Sequence, residues 1–176
     1  MTETMSASES RELLWELVKD IKFAMFTTRT DGRLRARPMT TQNSEVDENA
    51  SLWFFMSNGS ETVNDIGADP VVNVAYADPG RDAYVSVGGE ARVVDDRAKK
   101  EQLWSKLAEA WFPAGVDDPE LALVEVRIDH AEYWDVKESK PTQLFKMMAA
   151  AFTDTTPSGM GEHGEVRLGA GTGAAD

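Results

Sequence analysis

FAMFTTRTDGRLRARPMTTQ, residues 23–42, carries two runs of alternating character around Thr30-Asp31-Gly32. Residues 23–28 read as a strand, the Thr-Asp-Gly step as a hairpin turn, and residues 34–42 as the returning strand. Positions two apart in a strand share a face, so Arg33, Arg35, Arg37 and Met39 line up on one side. Leu34, Ala36 and Pro38 turn the other way and read as core. Same-face neighbours lie about 6.6–6.8 Å apart, near enough for two guanidinium groups to grip one phosphate. With Arg29 included, four of the ten arginines fall within nine residues of a chain whose net charge is −13. Clustered like charge costs energy unless an anion is present, and arginine suits bidentate phosphate recognition. The plainer alternative is a solvated edge strand kept soluble by its long cations. Pro38 favours an edge or a bulge, and an opening in the sheet beside it is where a ligand would enter.

Upstream of this hairpin, Ser6 and Glu9 are spaced as a capping box, and Leu13, Leu14, Leu17, Val18 and Ile21 follow at helical spacing. Downstream, residues 51–56 form a compact apolar strand. Ser60 caps a short helix carrying Val63 and Ile66, and residues 71–77 form a strand rich in β-branched side chains. Asp78-Pro79-Gly80 turns into a strand over 83–94, where Gly88-Gly89 signals a bulge or a close backbone approach. One amphipathic helix is expected over 96–110, a long strand over 121–134 and a final helix over 142–152. Residues 153–176 hold six of the 13 glycines and little to pack, so they read as a disordered tail behind a single domain over 1–152. Strands with hairpin-length connections and few helices predict a mainly β protein with flanking helices, built on a small antiparallel barrel.

The 176 residues are 41% hydrophobic and 28% charged, which fits an ordinary globular domain. The acidic balance excludes a general nucleic-acid or anionic-membrane binder, since both need a positive field. With no cysteine, disulfides, Cys-ligated zinc, iron–sulfur clusters and thiol catalysis are excluded, and a reducing cytosol fits. No apolar run approaches the ~20 residues of a membrane span, and no signal-peptide pattern opens the sequence. A soluble cytoplasmic protein is expected. His130 and His163 are the only histidines, and no Ser–His–Asp set is visible, so no catalytic residue is assigned and no metal is expected.

Any chemistry must therefore arrive with a cofactor. The arginines want a phosphate. The apolar run Trp53-Phe54-Phe55-Met56-Ser57-Asn58 and the helix start at Ser60 offer aromatic surface and backbone amides to a planar ring or an anion. Glycines near Tyr84, Ser86 and Gly88 would let a flat ligand lie against backbone. Trp104, Trp111 and Phe112 read as packing or dimer anchors. Flavin mononucleotide offers both the ring and the phosphate.

At these residues the chain resembles the pyridoxamine 5'-phosphate oxidase-like FMN-binding split-barrel superfamily, in its bacterial general stress protein branch. The matching elements are Phe26-Thr27-Thr28, Arg35-Ala36-Arg37-Pro38-Met39, Leu52-Trp53-Phe54-Phe55 and Asp69-Pro70-Val71-Val72-Asn73-Val74. They continue with Tyr84-Val85-Ser86-Val87-Gly88-Gly89-Glu90-Ala91, Trp111-Phe112-Pro113-Ala114-Gly115 and Glu132-Tyr133-Trp134, in the family order over residues 10–136. The resemblance implies a six-stranded antiparallel Greek-key split β-barrel, a homodimer, and FMN at the subunit interface. It implies that Arg35, Ala36, Arg37, Pro38 and Met39 lie along the flavin and help to hold its phosphate. Phe55, Met56 and Ser57 would contact the cofactor from a strand end, Tyr84 would stand near the ring, and Trp111 near the cofactor or the partner subunit. Thr62, preceded by Glu61, takes the place of a lysine with which many relatives bind the FMN phosphate. The arginine-rich C-terminal motif of true pyridoxamine phosphate oxidases is missing, so that reaction is not expected. What remains is a flavin-binding stress-response protein, holding FMN or FAD. One form is an oxidoreductase acting on a small molecule, with a nicotinamide donor. The alternatives are a non-catalytic flavin-sequestering protein and a cofactor-free dimeric scaffold.

Overall fold

Ser6 and Glu9 cap one another at the start of the first helix, α1 (Ala7–Val18). The Glu9 N–H donates to Ser6 Oγ at 3.2 Å, and the Ser6 N–H donates to the Glu9 carboxylate at 2.8 Å. The computed structural model describes residues 6–135 and 162–167. α1 buries Leu14, Leu17 and Val18, with Leu13 and Ile21 packed partly buried beside them. β1 (Ala24–Thr30) and β2 (Arg33–Met39) then form the hairpin, joined through Asp31 at φ 50° and Gly32 at φ 73°. Two successive positive φ angles define the turn whose twist matches its flanking strands, and Asp-Gly is a sequence that tolerates both.

β3 (Ser51–Ser57), α2 (Glu61–Ala68), β4 (Val71–Asp78) and β5 (Ala83–Val94) follow. Then come α3 (Arg97–Leu103), α4 (Lys106–Trp111), β6 (Leu121–Asp135) and β7 (Glu162–Arg167). The main sheet runs β2-β1-β4-β5-β6-β3, antiparallel throughout. Past β2 the chain returns to β3, where Thr41 bridges Phe54 and the Gln42 N–H donates to the Trp53 carbonyl at 2.8 Å. This contact brings the two end strands together and curls the sheet into a split barrel. Its interior is filled by Phe26, Phe54, Leu52, Val87 and Val126, all fully buried. Phe26 and Phe54 meet edge to face at 5.2 Å. Burying each such ring contributes about 1.5–3 kcal/mol.

The structure corrects four details of the sequence reading. Leu34, Ala36 and Pro38 are exposed, Leu34 by 73%, because among the described residues no second layer covers the outer face of β2. The arginine face is the one turned toward α2. The helix expected over 96–110 is two helices. Trp104 takes extended φ and ψ, and Ser105 caps α4 by accepting from the Ala108 N–H at 3.2 Å. Gly88-Gly89 is a bulge in the β5–β6 ladder, as expected, but no space for a flat ligand is left there. A Cβ on Gly88 would stand 2.3 Å from the His130 ring, and one on Gly89 only 2.1 Å from the Arg127 carbonyl oxygen. Finally, Glu162–Arg167, within the segment read as a tail, pairs with His130–Asp135 of β6. β3 covers β6 only as far as Arg127, so the later half of that long strand offers unpaired backbone groups that a further strand satisfies. The helix expected over 142–152 and the rest of the expected tail lie outside the described residues.

Candidate functional site

Beside the contact between β2 and β3 the barrel opens into a cleft of about 490 Å³, within the usual range for small-molecule sites. Its walls come from the ends of β2 and β3 and from α2 and α4. At the end of β2, Pro38 and Met39 line it, followed by Thr40 and Gln42; at the end of β3, Phe55, Met56 and Ser57 do so. α2 contributes Ser60 and Thr62 from its first turn, where Ser60 Oγ accepts from the Val63 N–H at 3.3 Å. The far wall is α4, through Leu107, Ala108 and Trp111, with Phe112 beyond it. The break between α3 and α4 is what allows this. It turns the Trp104 ring onto Phe55 at 5.8 Å, bracing one wall, while α4 runs across the opening. Trp111 is 76% exposed although it lines the cleft, so this side is open.

Lys22 is a cation on the cleft wall that the sequence reading missed. Its Nζ lies 5.3 Å from the centre of the Phe23 ring. The only available signal was its place just before the change to strand periodicity.

Of the residues singled out in the sequence, Pro38, Met39, Phe55, Met56, Ser57, Thr62 and Trp111 come together here. Arg35, Ala36, Arg37 and Tyr84 do not line the cleft. Ala36 points outward from β2, and Tyr84 is 38% exposed on β5, beside Trp134 of β6 in the ladder.

The arginines are engaged by the chain's own acids. Arg37 donates from Nη1 to Thr28 Oγ1 at 2.8 Å and from Nη2 to Asp65 at 3.0 Å, and the Thr28 hydroxyl donates to the same carboxylate at 2.8 Å. Asp65 is buried. The nearby Thr30 hydroxyl, whose Oγ1 lies outside regular hydrogen-bond geometry, together with Thr28 and Arg37, holds its carboxyl below the ordinary 3.8 against the opposing effect of burial. Arg35 pairs with Glu61 at 2.7 Å, and Arg29 with Asp69 at 2.7 Å. Glu61 also lies 3.9 Å from Arg37. Among the described residues, no Asp, Glu or His lines the cleft.

The structure is thus an antiparallel split barrel with a largely apolar cleft at its seam. The chain belongs to the pyridoxamine 5'-phosphate oxidase like family, whose model matches residues 9–158. It is 24% identical to general stress protein 26 of Bacillus subtilis (strain 168) over 143 residues, covering 80% of this chain and 99% of that protein. Among solved structures it is similar to the general stress FMN/FAD binding protein of Xanthomonas citri. That likeness has 31% identity and a TM-score of 0.64, covering 75% of this chain and 92% of that one. It also shares its fold with general stress protein 26 of Bacillus anthracis str. Sterne, at 19% identity and a TM-score of 0.62, covering 70% and 92%. Among the described residues, no helix is long and apolar enough to cross a membrane.

Proposed function

We propose that this protein binds a flavin, FMN or FAD, in the cleft between β2, β3 and α4, and acts as a flavoprotein of the general stress type in the cytoplasm. The observation that carries this is the chemistry of the cleft wall. Phe55, Trp111, Met39 and Met56 offer apolar and aromatic surface to a planar ring, while Ser57, Ser60 and Thr62 gather hydroxyls for a polar tail. The name of the Xanthomonas relative, an FMN/FAD binding protein, supports the same reading.

A bound flavin would supply hydride and electron transfer. The residues of this chain would hold and shield its ring and orient its tail. A second copy of the chain would complete the site. Trp111 and Phe23 stand exposed on its open side, and Tyr84, off the cleft within one chain, would reach it only from a partner. A nicotinamide donor or another small molecule would serve as reductant if turnover occurs; sequestration without turnover is the second reading.

Titration of the purified protein with FMN, FAD and riboflavin, followed by quenching of flavin fluorescence, tests the binding. Saturable quenching at micromolar ligand is expected, and unchanged fluorescence with all three ligands refutes it. Anaerobic addition of NADH or NADPH to the loaded protein separates reductase from binder, since only a reductase bleaches the flavin band.

A further inference from the structure

We propose that Lys22 is the residue that selects ligands by charge in this cleft: it makes the cleft prefer an aromatic ligand carrying an anionic group over the same ring with a neutral tail. This rests on the flavin reading above and deepens it.

Lys22 lies in the connection between α1 and β1, next to Phe23, and both residues line the cleft. Among the described residues it is the only charged side chain that does so; the rest of the wall is apolar or carries neutral hydroxyls and the Gln42 amide. Its partner sets it apart from the arginines of the hairpin. Arg29, Arg35 and Arg37 each stand against a carboxylate of this chain, at 2.7, 2.7 and 3.0 Å, so their charges are largely cancelled before any ligand arrives. The partner of Lys22 among the described residues is the Phe23 ring, with Nζ 5.3 Å from its centre. A ring face orients an ammonium but leaves its charge uncancelled. The preference does not depend on where in the cleft the anion settles. A cleft of about 490 Å³ has dimensions on the scale of the Debye length, about 10 Å at 0.1 M salt, so an anion anywhere in it feels the Lys22 charge. The chain as a whole works against such a ligand, because its net charge is −13. Lys22 is the local cation that offsets this field. Its side chain is exposed, so the attraction acts through partly solvated surroundings, where it changes the affinity for a phosphate by about tenfold at low salt and by much less at high salt.

The test is fluorescence titration of the full chain and of Lys22→Gln, Lys22→Arg and Arg127→Gln with FMN and with riboflavin, which lacks the phosphate. Arg127 is exposed on β6 and does not line the cleft, so its substitution removes the same charge from elsewhere. Lys22→Gln is expected to weaken FMN about tenfold and to leave riboflavin unchanged. Lys22→Arg should keep the affinity for FMN, and Arg127→Gln should leave the ratio of the two ligands as in wild type. The difference between wild type and Lys22→Gln should shrink at about 1 M salt, where the Debye length is about 3 Å. FMN affinity indifferent to Lys22→Gln overturns the proposal. Equal loss of both ligands also overturns it, by showing that Lys22 serves only as contact surface. A loss of FMN as large in Arg127→Gln as in Lys22→Gln overturns it too, since net charge alone would then account for the effect. In each of these outcomes the binding of riboflavin leaves the flavin reading intact. Failure of both ligands to bind any form refutes the flavin reading itself, and this inference with it.

Discussion

Arg37 is the residue on which the sequence and the structure make different demands, and substituting it decides between them. In the structure it ties β2 to α2, with its guanidinium bonded to Thr28 and Asp65 and only 18% of the side chain exposed. Thr28 completes the arrangement, since its single hydroxyl accepts from Arg37 and donates to Asp65. Removing one partner of a buried pair leaves an uncompensated charge, at a cost of about 3–5 kcal/mol. Partial exposure of Arg37 lets water soften that penalty, so Asp65→Asn is expected to lose about 3 kcal/mol. For a chain of this size each kcal/mol lowers Tm by about 2–4 °C, giving a drop of about 6–12 °C. Arg37→Met should cost a similar amount. The double variant Arg37→Met/Asp65→Leu should recover much of it, because an apolar pair of similar volume replaces a buried ion pair at little net cost. Urea denaturation of wild type, Arg37→Met, Asp65→Leu and the double variant gives the coupling energy, expected at about 3 kcal/mol. Flavin titration of Arg37→Met supplies the second readout, with FMN and riboflavin affinities expected to change together. A loss below about 1 kcal/mol or additive single variants would refute the structural tie, and a selective loss of FMN would show Arg37 to be a phosphate ligand.

The pH dependence of that tie has a definite sign. Asp65 titrates below its ordinary 3.8 in the folded protein, so its contribution is complete above that value and disappears as the pH falls through the lowered folded value. The stability gap between wild type and Asp65→Asn should therefore be full at neutral pH and shrink below pH 3.8, measured by urea midpoints; a gap independent of pH would contradict the assignment. At the β5 bulge, Gly89→Ala drives a Cβ to 2.1 Å from the Arg127 carbonyl oxygen, a backbone atom that cannot swing away. A loss of about 3 kcal/mol is expected. Gly88→Ala meets only the exposed His130 ring, which can rotate, so its loss should be clearly smaller; equal melting points for the two variants would refute this.

Much of the fold was legible because its signals are local. The Ser6–Glu9 spacing, the Asp31-Gly32 turn, Ser60 before α2 and the Gly88-Gly89 bulge each act within a few residues, and each appears where expected. The helix break was legible too, in principle. Ser105 is a good N-cap three residues before Ala108, but Leu103, Trp104 and Leu107 kept a helical spacing across it, and the periodicity masked the cap. β7 was hidden for the opposite reason. Its segment has no hydrophobic pattern of its own, and what orders it is the unpaired half of a distant strand. Which face of β2 is covered could not be read from β2 alone, because alternation separates two faces without saying which one meets the rest of the protein.

The site shows the same division between local and distant information. The clustering of arginines in β2 is plain in the sequence, and so is the need of such a cluster for anions. The sequence alone suggests a ligand as the source of that anion; in the structure Asp69, Glu61 and Asp65 stand against Arg29, Arg35 and Arg37. Asp65 and Glu61 lie 28 and 26 residues from the arginines they bind, and only the crossing of α2 over the barrel brings them together. α2 itself favours an acid there, since the exposed N–H groups of a helix's first turn attract negative charge. One glutamate thus satisfies a helix terminus and an arginine at once. The features that suggest a phosphate site from sequence are therefore largely the ones by which the chain neutralises itself, and the evidence for a ligand passes from the arginines to the aromatic and hydroxyl-bearing wall of the cleft.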